Sequence, residues 1–323
     1  MTPHLLCVSD LTCIELAELL DLAEQMKADP TACQDALTCE TLACFFDPPT
    51  TGAALAAAVA ADRLGMLPLM LPRRELEIGG GEPLGDIART FSVAAAAILT
   101  HAVPQRTLRP IAGHATVPVI NALSDEHRPC QALADLLTLR EHFGDLAGLT
   151  VAFVGDAGTG VAHSLMEATA LAAMEIRVAC PPQFGPSPLI HAGAEVVAAR
   201  HGGRVEIMDD PRQAVAGAHA VYTVPWVPVG LEHEREQRRE SFRRYHVHPE
   251  LMTLAHRDHV FMHCLPARRG EEAAAMVVDG GHSVIWEQAG NRVHAEQAAI
   301  LSLLTPSAHT PENVLHASGS PAS

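Results

Sequence analysis

Short apolar runs alternate with helix-length stretches along most of the 323 residues, and the alternation restarts once near residue 149. A strand that is followed by a helix and then another strand rejoins its own sheet through a crossover. The pattern therefore dictates parallel sheets covered by helices, and its restart predicts two of them. In the first half, LACFF (42–46), LPLML (67–71), AAILTHA (96–102) and VPVINA (117–122) read as strands. Helices are predicted at 10–28 with Asp10 as cap, at 52–65 and 85–96, and at 129–144 with one apolar face made by Leu133, Leu136, Leu137 and Phe143. IGGGEPL (78–84) reads as a glycine-rich loop.

In the second half, strands are predicted at 149–156, 177–181, 204–210, 219–227 and 259–266, with helices at 162–174 and 190–203 and a last one within 283–304. The charge-dense run EHEREQRRESFRRYHVHPELM (232–252) reads as a solvated helix in a loop excursion. The fold class is thus α/β, with two Rossmann-like doubly wound parallel-sheet domains. Residues 1–143 form the first, joined by a C-terminal helix at 291–304, residues 144–290 form the second, and 305–323 reads as a flexible tail. In open parallel sheets, ligands bind at the carboxyl ends of the strands. Every polar strand terminus, from FDPPTTG to MHCLPARRGEE, belongs to such an end, which predicts an active-site cleft between the domains.

Charge and composition exclude several classes. A net charge of −16 argues against nucleic-acid or anionic-membrane binding, and no apolar run is long enough to span a bilayer. The first twenty residues lack the basic start and cleavage pattern of a signal peptide, and the eight scattered cysteines include no CxxC pair. A cytoplasmic protein with reduced thiols is expected. No His/Cys cluster has ligand spacing, so neither a metal site nor a cofactor is predicted, despite 19 histidines. The fragment VGDAGTG lacks the glycine spacing of a dinucleotide site.

DEHRPCQALADLLTLREHFG (125–144), GLTVAFVGD, VAHSLMEA, HAVYTVPWV, FMHCLPARRGEE and NRVHAEQAAILSLL together resemble ornithine carbamoyltransferase, over about residues 5–304. The resemblance implies the carbamoyltransferase fold, a homotrimer, and transfer of a carbamoyl group from carbamoyl phosphate to an amine. Such a reaction needs donors and cations for a phosphate, a donor for the carbonyl oxygen, and an anchored neutral amine.

By that resemblance, the phosphate loop is Thr50, Thr51 and Gly52, where the family carries two arginines within Ser-Thr-Arg-Thr-Arg. His101 stands at a family arginine, and Arg128 stands at the family histidine that polarises the carbonyl, with His127 before it. Gln131, Arg292, Cys264 and Leu265 match the family, whereas Val224 replaces a substrate-binding aspartate. Arg128, Gln131, Cys264 and Arg292 are therefore the catalytic candidates. Thr50, Thr51, Gly52, His101, His127, Leu265, Arg268 and Val224 are the substrate-binding candidates.

Each transition-state donor lost costs roughly 2.7–4 kcal/mol. Counted position by position, the missing groups predict a transferase of altered specificity for an amino-acid-like substrate, with ordinary citrulline synthesis not expected. Two alternatives stay open. One is a non-catalytic paralogue that serves as a binding or assembly partner. The other is a genuine carbamoyltransferase with an unusual acceptor and a rearranged phosphate site. In each case the partner is a small anionic or amino-acid-like ligand.

Overall fold

The computed structural model describes residues 4–46, 51–72, 81–228 and 230–305. Thr50, residues 78–80 of the glycine-rich loop and nearly all of the predicted tail lie outside the described residues. The chain divides into two compact units. One holds the described residues up to Leu137 and those from Asn291 onward, and the other is Thr138–Gly290.

The first unit has a parallel sheet of β1 (Thr41–Phe46), β2 (Leu67–Pro72), β3 (Ala97–His101) and β4 (Val119–Leu123) in the order β2-β1-β3-β4. The interior strands are buried almost end to end, as expected of a parallel sheet covered on both faces. β2 is the edge strand. Its position explains how LPLMLP can carry two prolines and expose Leu67 and Leu69.

The helices of this unit are α1 (Cys13–Ala28), α2 (Thr51–Asp62), α3 (Leu84–Ala94), α4 (Gln105–His114) and the first part of α5 (Pro129–Phe143). α2 buries Ala53, Ala56, Ala57, Ala60 and Ala61, so small residues let it lie close to the sheet.

Three local expectations are corrected here. α1 is capped by Thr12, not Asp10. Thr12 and Glu15 form a reciprocal capping box, while the Asp10 carboxylate accepts from the backbone N–H groups of Leu6 and Cys7. α4 was not read from the sequence because Pro104 precedes it and Pro110 lies inside it. Leu108, Ile111 and Ala112 nevertheless bury one helical face. Finally, α5 is buried all round from Cys130 to Leu139 rather than on one apolar face, and Phe143 is only half-buried.

The second unit has β5 (Thr150–Val154), β6 (Glu175–Ala179), β7 (Arg204–Met208), β8 (Ala220–Thr223) and β9 (Val260–His263), all parallel, in the order β7-β6-β5-β8-β9. Around them run α6 (Gly160–Leu171), α7 (Pro188–His201), α8 (Pro211–Val215), α9 (Arg235–Phe242), α10 (Pro249–Met252) and α11 (Ala275–Val278). α12 (Ile285–Leu304) starts here and continues in the first unit.

The charged run at 232–252 departs from its expected solvated character. Arg238, Phe242 and Tyr245 are buried, and the two aromatic residues belong to the core of this unit together with Trp226 and Phe261. Arg238 is held by carboxylates and stacks over Phe184 at 5.0 Å, which allows its charge to enter the interior.

Candidate active site

In the first unit, chemistry gathers where β3 and β4 end. The turn from β4 into α5 is fixed by its own polar groups. Asn121 Nδ2 donates to the Leu6 carbonyl at 2.8 Å and to the His127 carbonyl at 3.3 Å. The His127 backbone N–H donates to Ser124 Oγ at 2.9 Å, and the Ser124 N–H donates to the His127 carbonyl. This pinned turn places His127 and Arg128, both buried, immediately before α5. Gln131 follows one turn in, buried, with its amide donating to Asp135 Oδ1 at 2.8 Å.

Arg292 enters the same unit from α12. Its Nε donates to Glu296 Oε1 at 3.1 Å, and both side chains are buried. Arg292 Nη2 and Glu296 Oε2 have no hydrogen-bond partner among the described residues. Burial raises the Glu296 carboxyl above its ordinary range. It also lowers the Arg292 guanidinium, with the charge of Arg128 acting in the same direction. A buried arginine with one unused N–H edge, next to a second arginine charge, can take up an anion.

His101 closes β3 and is fully buried, and its two ring nitrogens have no hydrogen-bond partner among the described residues. Its pKa falls to about 2, first through burial and then through the charges of Arg128 and Arg292. The ring is therefore a neutral imidazole at any physiological pH. Two thiols sit in the same electrostatic neighbourhood. Cys44 is pushed up to about 12 by burial and by Glu296, and burial also raises Cys130. Both stay protonated, so neither is a nucleophile.

At the start of α2, Thr51 and Gly52 are exposed, and a Cβ added at Gly52 would meet nothing within 4 Å. Open space alone requires no glycine there. Thr50, the remaining member of this loop among the candidates, lies outside the described residues.

The second unit holds the other candidates at the ends of β8 and β9. Val224 is buried just beyond β8, while Cys264 and Leu265 follow β9, half-buried. His263 Nδ1 accepts from the Leu265 N–H at 2.9 Å, and its Nε2 lies 3.3 Å from Glu272, with both side chains fully buried. Leu265 has a φ of +50°, a backbone conformation that L side chains rarely adopt. Arg268 is half-buried, its Nη1 lies 3.4 Å from Glu271, and its backbone N–H donates to Glu272.

Three features went unread in the sequence. Asp156, at the end of β5, accepts from Arg238 Nη1 at 2.7 Å and from the Gly158 N–H at 3.0 Å, and its carbonyl accepts from Thr159 Oγ1. This clamp sets the loop before α6, and the density of charge at 232–252 was its only signal. The His263–Glu272 contact joins residues nine apart whose pairing no helical or strand periodicity announces. Gln105, first in α4, is buried with both amide atoms lacking partners among the described residues.

Seven of the candidates therefore lie in the first unit: Thr51, Gly52, His101, His127, Arg128, Gln131 and Arg292. Val224, Cys264, Leu265 and Arg268 lie in the second. Among the described residues, no group of three or more His, Cys, Asp or Glu side chains is placed to hold a metal ion.

Residues 3–141 match the family model described as aspartate/ornithine carbamoyltransferase, carbamoyl-P binding domain, and residues 147–304 match its Asp/Orn binding domain. The chain is 43% identical to an ornithine carbamoyltransferase of Clavibacter sepedonicus over 95% of its own length and all of that protein's. It is 45% identical to one from Methanothermobacter thermautotrophicus, over 91% of this chain and 96% of the relative. Its structure resembles that of ornithine carbamoyltransferase from Pyrococcus furiosus with a TM-score of 0.89 at 39% identity, covering 94% and 97% of the two chains.

These likenesses overturn the expectation of altered specificity without ordinary citrulline synthesis. Relatives at this identity and coverage carry the name of the ordinary activity. A position-by-position count of lost groups overstates the loss, because the charges of Arg128 and Arg292 act on the same buried histidine and transition-state contacts are not additive.

Proposed function

Because the chain belongs to the aspartate/ornithine carbamoyltransferase family, we propose that it transfers the carbamoyl group of carbamoyl phosphate to ornithine, giving citrulline and phosphate. The observation that carries this reading is the buried pair of arginines in the first unit, Arg128 from the stretch that matches the carbamoyl-P binding domain and Arg292 from α12.

The phosphate site is rearranged relative to the family pattern. Thr50 and Thr51 supply hydroxyls, the N-terminus of α2 supplies backbone N–H groups, and Arg128 and Arg292 supply the charge. Each charge-assisted contact contributes roughly 1.5–3 kcal/mol, so two recover about 3–6 kcal/mol of what the loop lacks. Gln131 and His127 orient the carbamoyl group. In the second unit, Cys264 and Leu265 receive the amine end of ornithine, Arg268 its carboxylate, and Val224 lines its methylene chain. The protein works in the cytoplasm as a homotrimer, a state that the family resemblance supports.

Steady-state colorimetric detection of citrulline, with ornithine compared against lysine and aspartate as acceptors, tests this function. The expected result is product from ornithine at a kcat/KM at least about a hundredfold above the other two. Equal rates with all three acceptors, or product from none, would contradict it.

A further inference from the structure

We propose that His101, acting as a neutral hydrogen-bond donor, polarises the carbonyl of carbamoyl phosphate, while Arg128 serves the phosphate. This inference rests on the function proposed above and assigns the carbonyl donor within it.

The geometry is that of a group awaiting a ligand. His101 ends β3 at the carboxyl edge of the sheet, where ligands of parallel sheets bind. Its side chain is fully buried, yet neither ring nitrogen has a partner among the described residues. A histidine that only filled the core against Phe46 would leave two desolvated polar atoms unsatisfied, which native interiors rarely tolerate. Substrate bound at the strand ends supplies the missing partner.

The charge state also suits the task. Burial, Arg128 and Arg292 hold the imidazole neutral, so one nitrogen carries an N–H to donate and the other can only accept. A neutral donor lends a hydrogen bond to a developing oxyanion without adding a third cation beside two arginines. An arginine at 101 in addition to Arg128 and Arg292 would place three like charges in one buried site.

In the step itself, the lone pair of the ornithine amine forms the N–C bond, and the carbonyl π pair moves onto oxygen, where the His101 N–H stabilises it. That pair then re-forms the carbonyl. The C–O bond to phosphate breaks, and the leaving phosphate keeps its electron pair and takes the proton from the amine nitrogen. His101 neither gains nor loses a proton.

Steady-state kinetics of His101→Leu and His101→Gln, with calorimetric titration of carbamoyl phosphate into each, tests the assignment. His101→Leu should lower kcat by about 10²–10³ while the Kd for carbamoyl phosphate changes by less than about threefold. His101→Gln retains an N–H donor and should recover at least about tenfold of the lost kcat. In the wild type, the 15N shifts of His101 should report a neutral ring down to pH 5. Unchanged kcat in His101→Leu, or an imidazolium signal at pH 6, overturns the assignment and leaves the proposed function standing. So does a loss of carbamoyl-phosphate affinity as large as the loss of kcat. No citrulline from the wild type removes the function itself, and the assignment falls with it.

Discussion

The ring of His101 lies against that of Phe46, with centroids 5.5 Å apart and planes tilted by 36°, at paired positions of β3 and β1. This contact seals the imidazole from water on one side, and the arginine charges make its protonation costlier still. The unfolded chain has no such penalty and takes up a proton near the ordinary value of about 6.5. Because the folded pKa, about 2, lies below the unfolded one, stability from this group is complete above pH 6.5 and falls as the pH drops towards 2. The slope contributed is about 1.4 kcal/mol per pH unit below 6. Urea unfolding at pH 7, 6 and 5 should show that increment in the wild type and its absence in His101→Leu.

Arg238 and Asp156 form a second buried relationship, at 2.7 Å, with both side chains less than a tenth exposed. Removing one partner leaves the other charge buried without compensation. Arg238→Ala should therefore lose about 3–5 kcal/mol in chemical denaturation. Hydrogen exchange should quicken at Gly158, whose N–H binds the same carboxylate.

By the resemblance alone, His101 stands at a family arginine and Arg128 at a family histidine. Restoring that pattern with both substitutions, His101→Arg and Arg128→His, should keep kcat/KM within about tenfold of the wild type, because the site again holds one arginine and one histidine. Each single substitution should cost at least about a hundredfold, through a third buried cation in one case and a lost phosphate charge in the other. Initial rates of the four proteins form the double-mutant cycle that measures the coupling.

Much of the fold was legible. The two parallel sheets follow from apolar runs such as LACFF and TVAFV, whose burial on both faces is what an interior parallel strand requires. The 10–28 helix was legible too, although its true cap, Thr12, was passed over in favour of Asp10. α4 was obscured by its prolines. The site was only partly legible, because residue types at single positions do not reveal charge arriving from elsewhere in the chain. Arg292 is far from His101 in sequence, and only the fold puts its charge beside the imidazole. The same limit hid Arg238, whose exposed, charged neighbours in sequence gave no sign that its own side chain turns inward.

The proposed function requires that this site, with arginines at 128 and 292 and none in its threonine loop, still performs carbamoyl transfer to ornithine. Initial rates of labelled citrulline formation from labelled carbamoyl phosphate, for the wild type beside Arg128→Met, test it most directly. The wild type should turn over catalytically, and the KM for carbamoyl phosphate should be at least about tenfold higher in Arg128→Met, where one charge-assisted phosphate contact is lost. Wild-type protein that forms no citrulline, or an Arg128→Met variant with unchanged kinetics, would contradict it.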